Sequence, residues 1–270
     1  MNNMHTKHIT LIGGGNMAEA LTAGLVRAGH QAEYITITDT NTSRLEQLRQ
    51  DYAVRTSTDN AASIQDADMV VLAVKPQVIE SVLQDIGSHI PAAATMVSIA
   101  AGTSIQTLEA AAGRQDLAWV RVMPNTPAML GAGMSVLFSS ASPEHQARAE
   151  YLMAASGETA WVDDEKALHA VTAVSGSGPA YFFLLAEAMQ AAGESLGLSS
   201  ALAAKLANQT AMGAGRMLAE SGRDAKTLRQ QVTSPGGTTQ AALDTMYEDE
   251  LPITIRKAIQ AAYKRSKELG

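Results

Sequence analysis

Two stretches of this sequence combine glycines with hydrogen-bonding side chains at spacings that suit anion chemistry. The first is "IGGGNMAEALTAGLVRAG", residues 12–29, where Gly13, Gly15 and Ala18 form G-x-G-x-x-A directly after a β-branched run. Gly13 permits a tight turn, Gly15 lets the backbone approach a pyrophosphate, and Ala18 lets helix and strand pack closely. The free amides at the helix start then face the phosphates. Strand, turn and helix stand in the order a dinucleotide-binding unit needs; the plain alternative is a glycine turn without a ligand. The second stretch is "VTSPGGTTQAAL", residues 232–243, set in a region that otherwise reads as helix. Gly236 and Gly237 can present consecutive amides there, while Thr238 and Thr239 begin a helix whose dipole favours an anion. With the Ser234 hydroxyl, this turn suits a small carboxylate or a phosphate. N-capping by Ser or Thr explains it equally simply.

The remaining candidates are less specific. In "ITDTNTSR", Asp39 stands where a carboxylate accepts hydrogen bonds from the ribose hydroxyls of NAD, whereas Thr40, Asn41, Ser43 and Arg44 suit the 2'-phosphate of NADP, with Arg44 supplying charge. Capping of the next helix by Thr40 or Thr42 requires no ligand at all. The balance favours NADPH, with NADH open. Lys75 and Pro76 end a buried strand and read as a backbone-shaping turn beside the cofactor in preference to a catalytic lysine. Pro124–Pro127 forms a rigid loop at the same edge, and Ser175–Gly178 before Pro179 reads as a connection between domains. His5 and His8 fall in a terminus expected to fray, and no histidines pair at a metal-ligand spacing. His169 reads as a helix surface or interface residue. The "DDEK" at 163–166 reads as a helix start, with Glu165 able to face a substrate.

Positioning these residues requires particular elements. The runs "HITLIG", "YITITD", "DMVVLAV", "TMVSIA", "AWVRVM", "MSVLFS" and "ETAWVD" alternate with helix-like stretches through residue 158, the rhythm of a mainly parallel α/β sheet. Beyond Asp164 the strands stop and helices are expected near 165–173, 179–196, 199–221 and 238–269, the last broken at Pro252. The domains are therefore a Rossmann-type dinucleotide-binding domain over 1–162 and an all-α domain over 163–270. Small or apolar residues occupy most of the circumference of "SALAAKLANQTAMGAGRMLAE", so this helix is expected to be buried on several sides, most easily against a second subunit around a two-fold axis.

Composition narrows the function classes. The 270 residues are 46% hydrophobic and 17% charged, with net charge −7 and no cysteine. Nucleic acid is a poor partner for such a surface, and disulfides, thiolate metal sites and a cysteine nucleophile are excluded. "MNNMHTKHITLIGGG" lacks the pattern of a signal segment, and the run "MVVLAVKP" is far below the ~20 residues that cross a bilayer. A soluble cytoplasmic protein without a membrane partner or a metal is expected.

Taken together, "IGGGNMAEA", "LAVKPQ", "SIAAG", "VRVMPNTP", "SGSGPAY" and "TSPGGTT" occur in the order and spacing of a known family. The chain resembles pyrroline-5-carboxylate reductase over nearly its whole length. The resemblance implies reduction of the C=N bond of 1-pyrroline-5-carboxylate by NAD(P)H in the last step of proline biosynthesis. It implies a Rossmann domain followed by a helical dimerisation domain, with the helical half of one subunit completing the partner's active site, in dimers that in this family commonly assemble into decamers. Ile12, Gly13, Gly14, Gly15, Asn16 and Met17 would then line the pyrophosphate. Thr40, Asn41 and Arg44 would meet the adenosine ribose, and Asn60, Ala73, Val74, Lys75, Pro76, Ala100 and Ala101 the rest of the cofactor. Ser234, Gly237 and Thr238 would bind the substrate carboxylate, with Glu165 nearby, and Thr239 would reach the ring nitrogen as the residue closest to catalysis. Gln231 replaces the Asn of some relatives. A hydroxyacid dehydrogenase with Lys205 as its catalytic lysine, a broader imine reductase and a non-catalytic cofactor sensor are the competing readings.

Overall fold

A computed structural model describes residues 4–269. The first part of the chain alternates strands and helices: β1 (Ile9–Ile12), α1 (Asn16–Arg27), β2 (Ile35–Thr38), α2 (Thr42–Tyr52), β3 (Arg55–Ser57), α3 (Asn60–Ser63), β4 (Met69–Leu72), α4 (Pro76–Ile86), β5 (Thr95–Ser98), α5 (Ile105–Ala112), β6 (Ala118–Met123), β7 (Gly133–Phe138), α6 (Pro143–Ala154) and β8 (Gly157–Trp161). They form one eight-stranded sheet of order β3-β2-β1-β4-β5-β6-β7-β8. Every pairing is parallel except that of β6 with β7. The mainly parallel sheet expected from the β-branched runs is thus present, with β3 as an additional edge strand. Its three residues, Arg55, Thr56 and Ser57, are exposed or half-buried and carry no apolar alternation.

Alternate residues of each strand face opposite layers, which is why these strands read as continuous apolar runs. Ile9 and Leu11 of β1 and Met69 and Val71 of β4 pack with Leu21 and Leu25 of α1, Leu48 of α2 and Leu152 of α6. Val70 and Leu72 of β4 pack with Ile79 and Leu83 of α4 and Leu108 of α5 on the other face. Each such side chain, fully buried, contributes ~1.5–3 kcal/mol of hydrophobic stabilisation, so helices on both faces are needed to keep the sheet from water.

After β8 come α7 (Ala167–Val171), a wide π turn (Thr172–Gly176), α8 (Gly178–Ser195), α9 (Ser200–Glu220), α10 (Ala225–Gln231), α11 (Thr238–Glu248) and α12 (Leu251–Leu269). The short α10 is not marked by apolar periodicity. It starts where the Asp224 side chain accepts from the Thr227 amide (3.0 Å) and hydroxyl (2.7 Å) and buries one residue, Leu228. The break expected at Pro252 lies at Glu250, which adopts φ 54°. Pro252 instead occupies the first turn of α12, where its missing N–H costs nothing.

The sheet ends at Trp161, close to the division expected at residue 163. The compact units part between Gly176 and Ser177, and the chain from Ala262 onward belongs with the first unit. Residues 163–176 stay with the sheet because Arg121 of β6 pairs with Glu165 at 3.0 Å and the Asn125 amide donates to the Ser175 carbonyl at 3.0 Å. In the second unit α9 buries just Ala203 and Ala207, while Phe182, Phe183 and Leu184 of α8 are each more than 60% exposed. The burial expected for the small-residue helix is therefore not supplied within one chain. The run Ala167–Ser195 is also long and apolar enough, by length and composition alone, to cross a membrane. That corrects the expectation from uninterrupted apolar stretches, which does not foresee that the π turn joins α7 and α8 into one helical run.

The expected fraying around His5 and His8 is also corrected. Lys7 pairs with Asp68 at 2.7 Å, the His8 amide donates to the same carboxylate at 2.9 Å, and the His8 ring packs edge-on against Tyr34. His30, 2% exposed, places Nε2 at 3.1 Å from the Lys7 carbonyl and Nδ1 at 3.0 Å from the Tyr151 hydroxyl, which in turn lies 3.2 Å from His5. A carbonyl accepts and never donates, so Nε2 carries the proton and Nδ1 accepts from Tyr151. Burial disfavours a second proton and holds the His30 pKa below its ordinary 6.5. Its contribution to stability is fully present above about pH 6.5 and is lost as pH falls through the lower folded value. The urea midpoint of the wild type is expected to drop more between pH 7.5 and pH 5.5 than that of His30→Gln. Equal drops in both proteins would show that His30 does not carry this pH dependence.

Candidate active site

The strand register brings the glycine turn and the other N-terminal candidates to one edge. Ile12 lies beside Thr38 and Leu72, Leu72 beside Ser98, and Ser98 beside Arg121. The segments that follow, Gly13–Gly15, Asp39–Asn41, Ala73–Pro76, Ile99–Ala101 and Pro124–Asn125, therefore all leave from the carboxyl edge of the sheet. β1 is the third of the eight strands, and the strand order reverses between it and β4; ligands of open α/β sheets bind at that point.

Gly13 adopts φ +103°, and a Cβ there would lie 2.7 Å from the Ala73 carbonyl oxygen. Its amide donates to the Thr38 carbonyl at 2.8 Å, and the Ala73 amide donates to the Ile12 carbonyl at 2.8 Å. Gly15 differs: a Cβ there would meet nothing within 4 Å. It stands at the N-cap of α1 without a side-chain cap, so the first amides of the helix, from Asn16 and Met17 on, face open space. Ala18, fully buried, packs under the turn. An uncapped helix start behind an open glycine fits a pyrophosphate.

Around it the other residues expected at the cofactor lie as follows. Thr38 donates from its hydroxyl to the Asn60 side-chain oxygen at 2.6 Å, which fixes Asn60 at the start of α3. Thr40 is exposed, and the Asn41 side chain caps α2 by accepting from the Arg44 amide at 3.1 Å. The capping explanation thus applies to Asn41, not to Thr40 or Thr42. Arg44 does not point freely outward: its guanidinium binds the Gly14 carbonyl, Gln47 and Glu19. Lys75 is exposed with no side-chain hydrogen bond among the described residues and precedes Pro76 at the start of α4. Ala73 and Val74 are half-buried, Ala100 is buried and Ala101 exposed. Asn125 accepts from the Met134 amide at 2.9 Å while donating to Ser175, so the proline loop is pinned from both ends.

In the second unit, Ser234–Gly237 is a tight turn with Pro235 second and Gly236 third at φ +70°, closed by the Gly237 amide donating to the Ser234 carbonyl at 3.0 Å. Gly237 is the N-cap of α11 and offers no side-chain cap. The N-capping explanation is therefore corrected: no Ser or Thr oxygen closes this helix end. The Gly237 amide expected on the carboxylate is already engaged in the turn. The amides left facing outward are those of Thr238, Thr239 and Gln240, together with the Ser234, Thr238 and Thr239 hydroxyls, none of which makes a hydrogen bond among the described residues.

Several polar residues have structural partners. Glu165 accepts from Arg121 and, at 2.8 Å, from the Ile105 amide at the start of α5; it caps a helix distant in sequence and does not cap its own. The His169 ring meets the Ser266 hydroxyl at 3.0 Å, and burial, with Arg121 and Lys267 nearby, holds its pKa low. Gln231 accepts from Arg223 at 2.8 Å, and Lys205 is exposed with no partner among the described residues. Two residues absent from the sequence reading belong to these networks, Arg121 and Glu19. A lone arginine inside the apolar strand "AWVRVM" was the visible signal for the first; the second had none.

The region 165–269 matches the family model for pyrroline-5-carboxylate reductase dimerisation, and 8–102 matches that for NADP oxidoreductase, coenzyme F420-dependent. The chain is 43% identical to the pyrroline-5-carboxylate reductase of Pseudomonas aeruginosa, over 99% of this chain and 98% of that one. The chain belongs to the pyrroline-5-carboxylate reductase family. The family's enzyme from Haemophilus influenzae is likewise 43% identical, over 98% of both chains. A solved pyrroline-5-carboxylate reductase from Coxiella burnetii superposes with TM-score 0.93 at 38% identity, covering 98% of this chain and 99% of that one. A pyrroline carboxylate reductase from Plasmodium falciparum, solved with NADP bound, gives TM-score 0.87 at 28% identity over 99% and 100%. In a pyrroline-5-carboxylate reductase the exposed apolar faces of α8 and α9 belong to the dimerisation region.

The two glycines of the turn after β1 are expected to respond differently to a methyl group. Gly13→Ala should lower the melting temperature by several degrees and abolish nucleotide binding. Gly15→Ala should melt within about a degree of wild type yet bind NADP+ at least tenfold more weakly; tight binding by Gly15→Ala in titration calorimetry would remove the phosphate from that position. Glu165→Gln should lower stability by ~1–3 kcal/mol in urea titration, the cost of leaving buried Arg121 and the Ile105 amide poorly matched.

Proposed function

We propose that the protein reduces 1-pyrroline-5-carboxylate to L-proline with a hydride from NAD(P)H, as the last step of proline biosynthesis. The start of α11 carries the reading. It lies in the dimerisation region and combines uncapped amides with three hydroxyls that have no partner among the described residues. A carboxylate there accepts from the Thr238 and Thr239 amides and the Ser234 hydroxyl, and the helix dipole favours its charge. Charge-assisted bonds of this kind are worth ~1.5–3 kcal/mol each, enough to hold a small anion on a chain of net charge −7.

The nicotinamide supplies the hydride; the protein's part is orientation. A cyclic imine protonated on nitrogen is already a good acceptor, so no strong acid or base is required at carbon. The Thr239 hydroxyl, on the same residue as the last of the carboxylate donors, accepts from the ring N–H. Fixing the ring at both its carboxylate and its nitrogen presents one face to the donor, and such orientation can account for much of the rate. His169, Lys75 and Lys205 take no part. Glu165 keeps Arg121 and the start of α5 in place, so any help to the substrate is indirect.

The working form is a homodimer through residues 163–270, with 1–162 holding the nucleotide. Assembly of dimers into decamers and residence in the cytoplasm complete the reading, the latter in keeping with a cysteine-free chain. Consumption of NADPH and NADH, followed by absorbance, is expected with pyrroline-5-carboxylate and not with 2-hydroxy or 3-hydroxy acids. Thr239→Ala should reduce kcat/KM for the imine by ~10- to 100-fold, the loss of one hydrogen bond to a charged group. Its affinity for NADPH without substrate should change less than about twofold. An equal loss of cofactor affinity would remove Thr239 from the substrate site.

A further inference from the structure

Gly14, the middle residue of the phosphate turn, is gripped from both sides by the segment that follows β2. Its amide donates to Asp39 Oδ2 at 2.7 Å, and its carbonyl accepts from Arg44 Nε at 2.8 Å. The other Asp39 oxygen accepts from the Asn41 amide at 2.8 Å. Arg44 also donates to Gln47 at 3.1 Å, and its remaining terminal nitrogen pairs with Glu19 of α1. Tyr52, at the end of α2, donates to the second Glu19 oxygen at 3.1 Å. Arg44 and Glu19 are about four-fifths buried, with side-chain exposures of 20% and 22%. The Arg44 hydrogen bond outweighs the opposing effect of burial and holds the Glu19 carboxyl below its ordinary range, with Tyr52 adding to it. Glu19 is therefore ionised at neutral pH.

This arrangement sits where the adenosine ribose of a dinucleotide rests, beyond the carboxyl end of β2. A 2'-hydroxyl and a 2'-phosphate make opposite demands there. The hydroxyl donates to a carboxylate, and each Asp39 oxygen, with one amide bound, retains a lone pair for it. The phosphate carries a charge of about −1.5 to −2 and calls for a cation. Arg44 is the cation on this segment that the phosphate would recruit, yet its charge is already matched and its fork laid back onto α1.

We propose that Glu19 is a positioning residue that sets the choice between NADH and NADPH: by holding Arg44 against Gly14 and α1, it withholds that charge from the 2'-phosphate. The inference rests on the dinucleotide site described above. A 2'-phosphate binds either without Arg44 or at the cost of its ion pair with Glu19, and removing the Glu19 charge frees Arg44 to turn toward the ribose. A purely structural role, tying α2 to α1, would instead weaken or strengthen both nucleotides together.

Direct titration of NAD+ and NADP+ without substrate separates these cases, using wild type, Glu19→Gln, Arg44→Gln and the double variant, with melting temperatures measured alongside. Glu19→Gln is expected to raise the NADP+ to NAD+ affinity ratio about tenfold, equivalent to ~1.4 kcal/mol, and the ratio of kcat/KM values for NADPH and NADH should follow. The gain should vanish when Arg44 is also Gln. Tyr52→Phe, which loosens Glu19 without removing charge, should shift the ratio a smaller amount in the same direction. An unmoved ratio in Glu19→Gln overturns the inference, as does an equal gain in the Arg44→Gln background, which would reflect charge acting through space. Wild type that binds neither nucleotide overturns the cofactor site itself and the inference with it. Normal binding of both nucleotides with an unmoved ratio overturns the inference alone.

Discussion

The close approach of Gly13 to the Ala73 carbonyl is the constraint on which the nucleotide edge depends. β1 lies between β2 and β4, and its turn must pass the start of the β4–α4 connection with no room for a side chain. Given that crossing, the Gly13 amide reaches Thr38 and the Ala73 amide reaches Ile12, so three strand ends are fixed relative to one another. The direction of α1 follows, and with it the open space in front of Gly15. A left-handed φ and a carbonyl at contact distance act on the same residue, so neither could be relieved without moving a strand.

The two proposed anion sites of this acidic chain both lie at helix starts without a side-chain cap. At α1 the cap position is a glycine with nothing near it; at α11 it is a glycine whose own amide has been spent closing the preceding turn. Helices α2, α3, α5, α9 and α10 are closed by Asn, Asp or Ser side chains, whereas α4, α6, α7 and α8 also start without a side-chain cap, three of them with a proline in the first turn. A side-chain oxygen at the cap would occupy the amides that a phosphate or carboxylate needs. On the proposed function the chain would bind negative ligands through oriented backbone dipoles while its surface charge stays negative, which favours small anions over a polyanionic strand.

The second unit follows a different rule. Its helices show more apolar surface than a soluble monomer keeps in water, and the membership of 165–269 in a dimerisation family supplies the reason. The same membership accounts for the run Ala167–Ser195, whose length and apolar character would suit a bilayer if read without the family. The small residues of α9, expected from the sequence to be buried on several sides and most easily against a second subunit, are mostly exposed within one chain and lie in that dimerisation region.

The sequence by itself determined the features that rest on local chemistry. β-branched runs marked seven strands, the glycine pattern marked the phosphate turn, and Ser-Pro-Gly-Gly-Thr-Thr marked a helix start able to take an anion. Each is encoded in neighbouring residues, where conformational preference and hydrogen-bonding capacity act over one or two turns of chain. The polar edge strand β3 and the short α10 were missed because they bury almost nothing and so leave no apolar period. Tertiary structure alone decided which charges meet. Glu165 could be read as a helix-start residue until folding set it against Arg121, 44 residues away, and Arg44 as a free phosphate ligand until Glu19, 25 residues back, claimed it. A charge's role depends on the sign and distance of its partner, and for partners on different elements that information exists once the sheet has ordered its strands and the helices have packed across it.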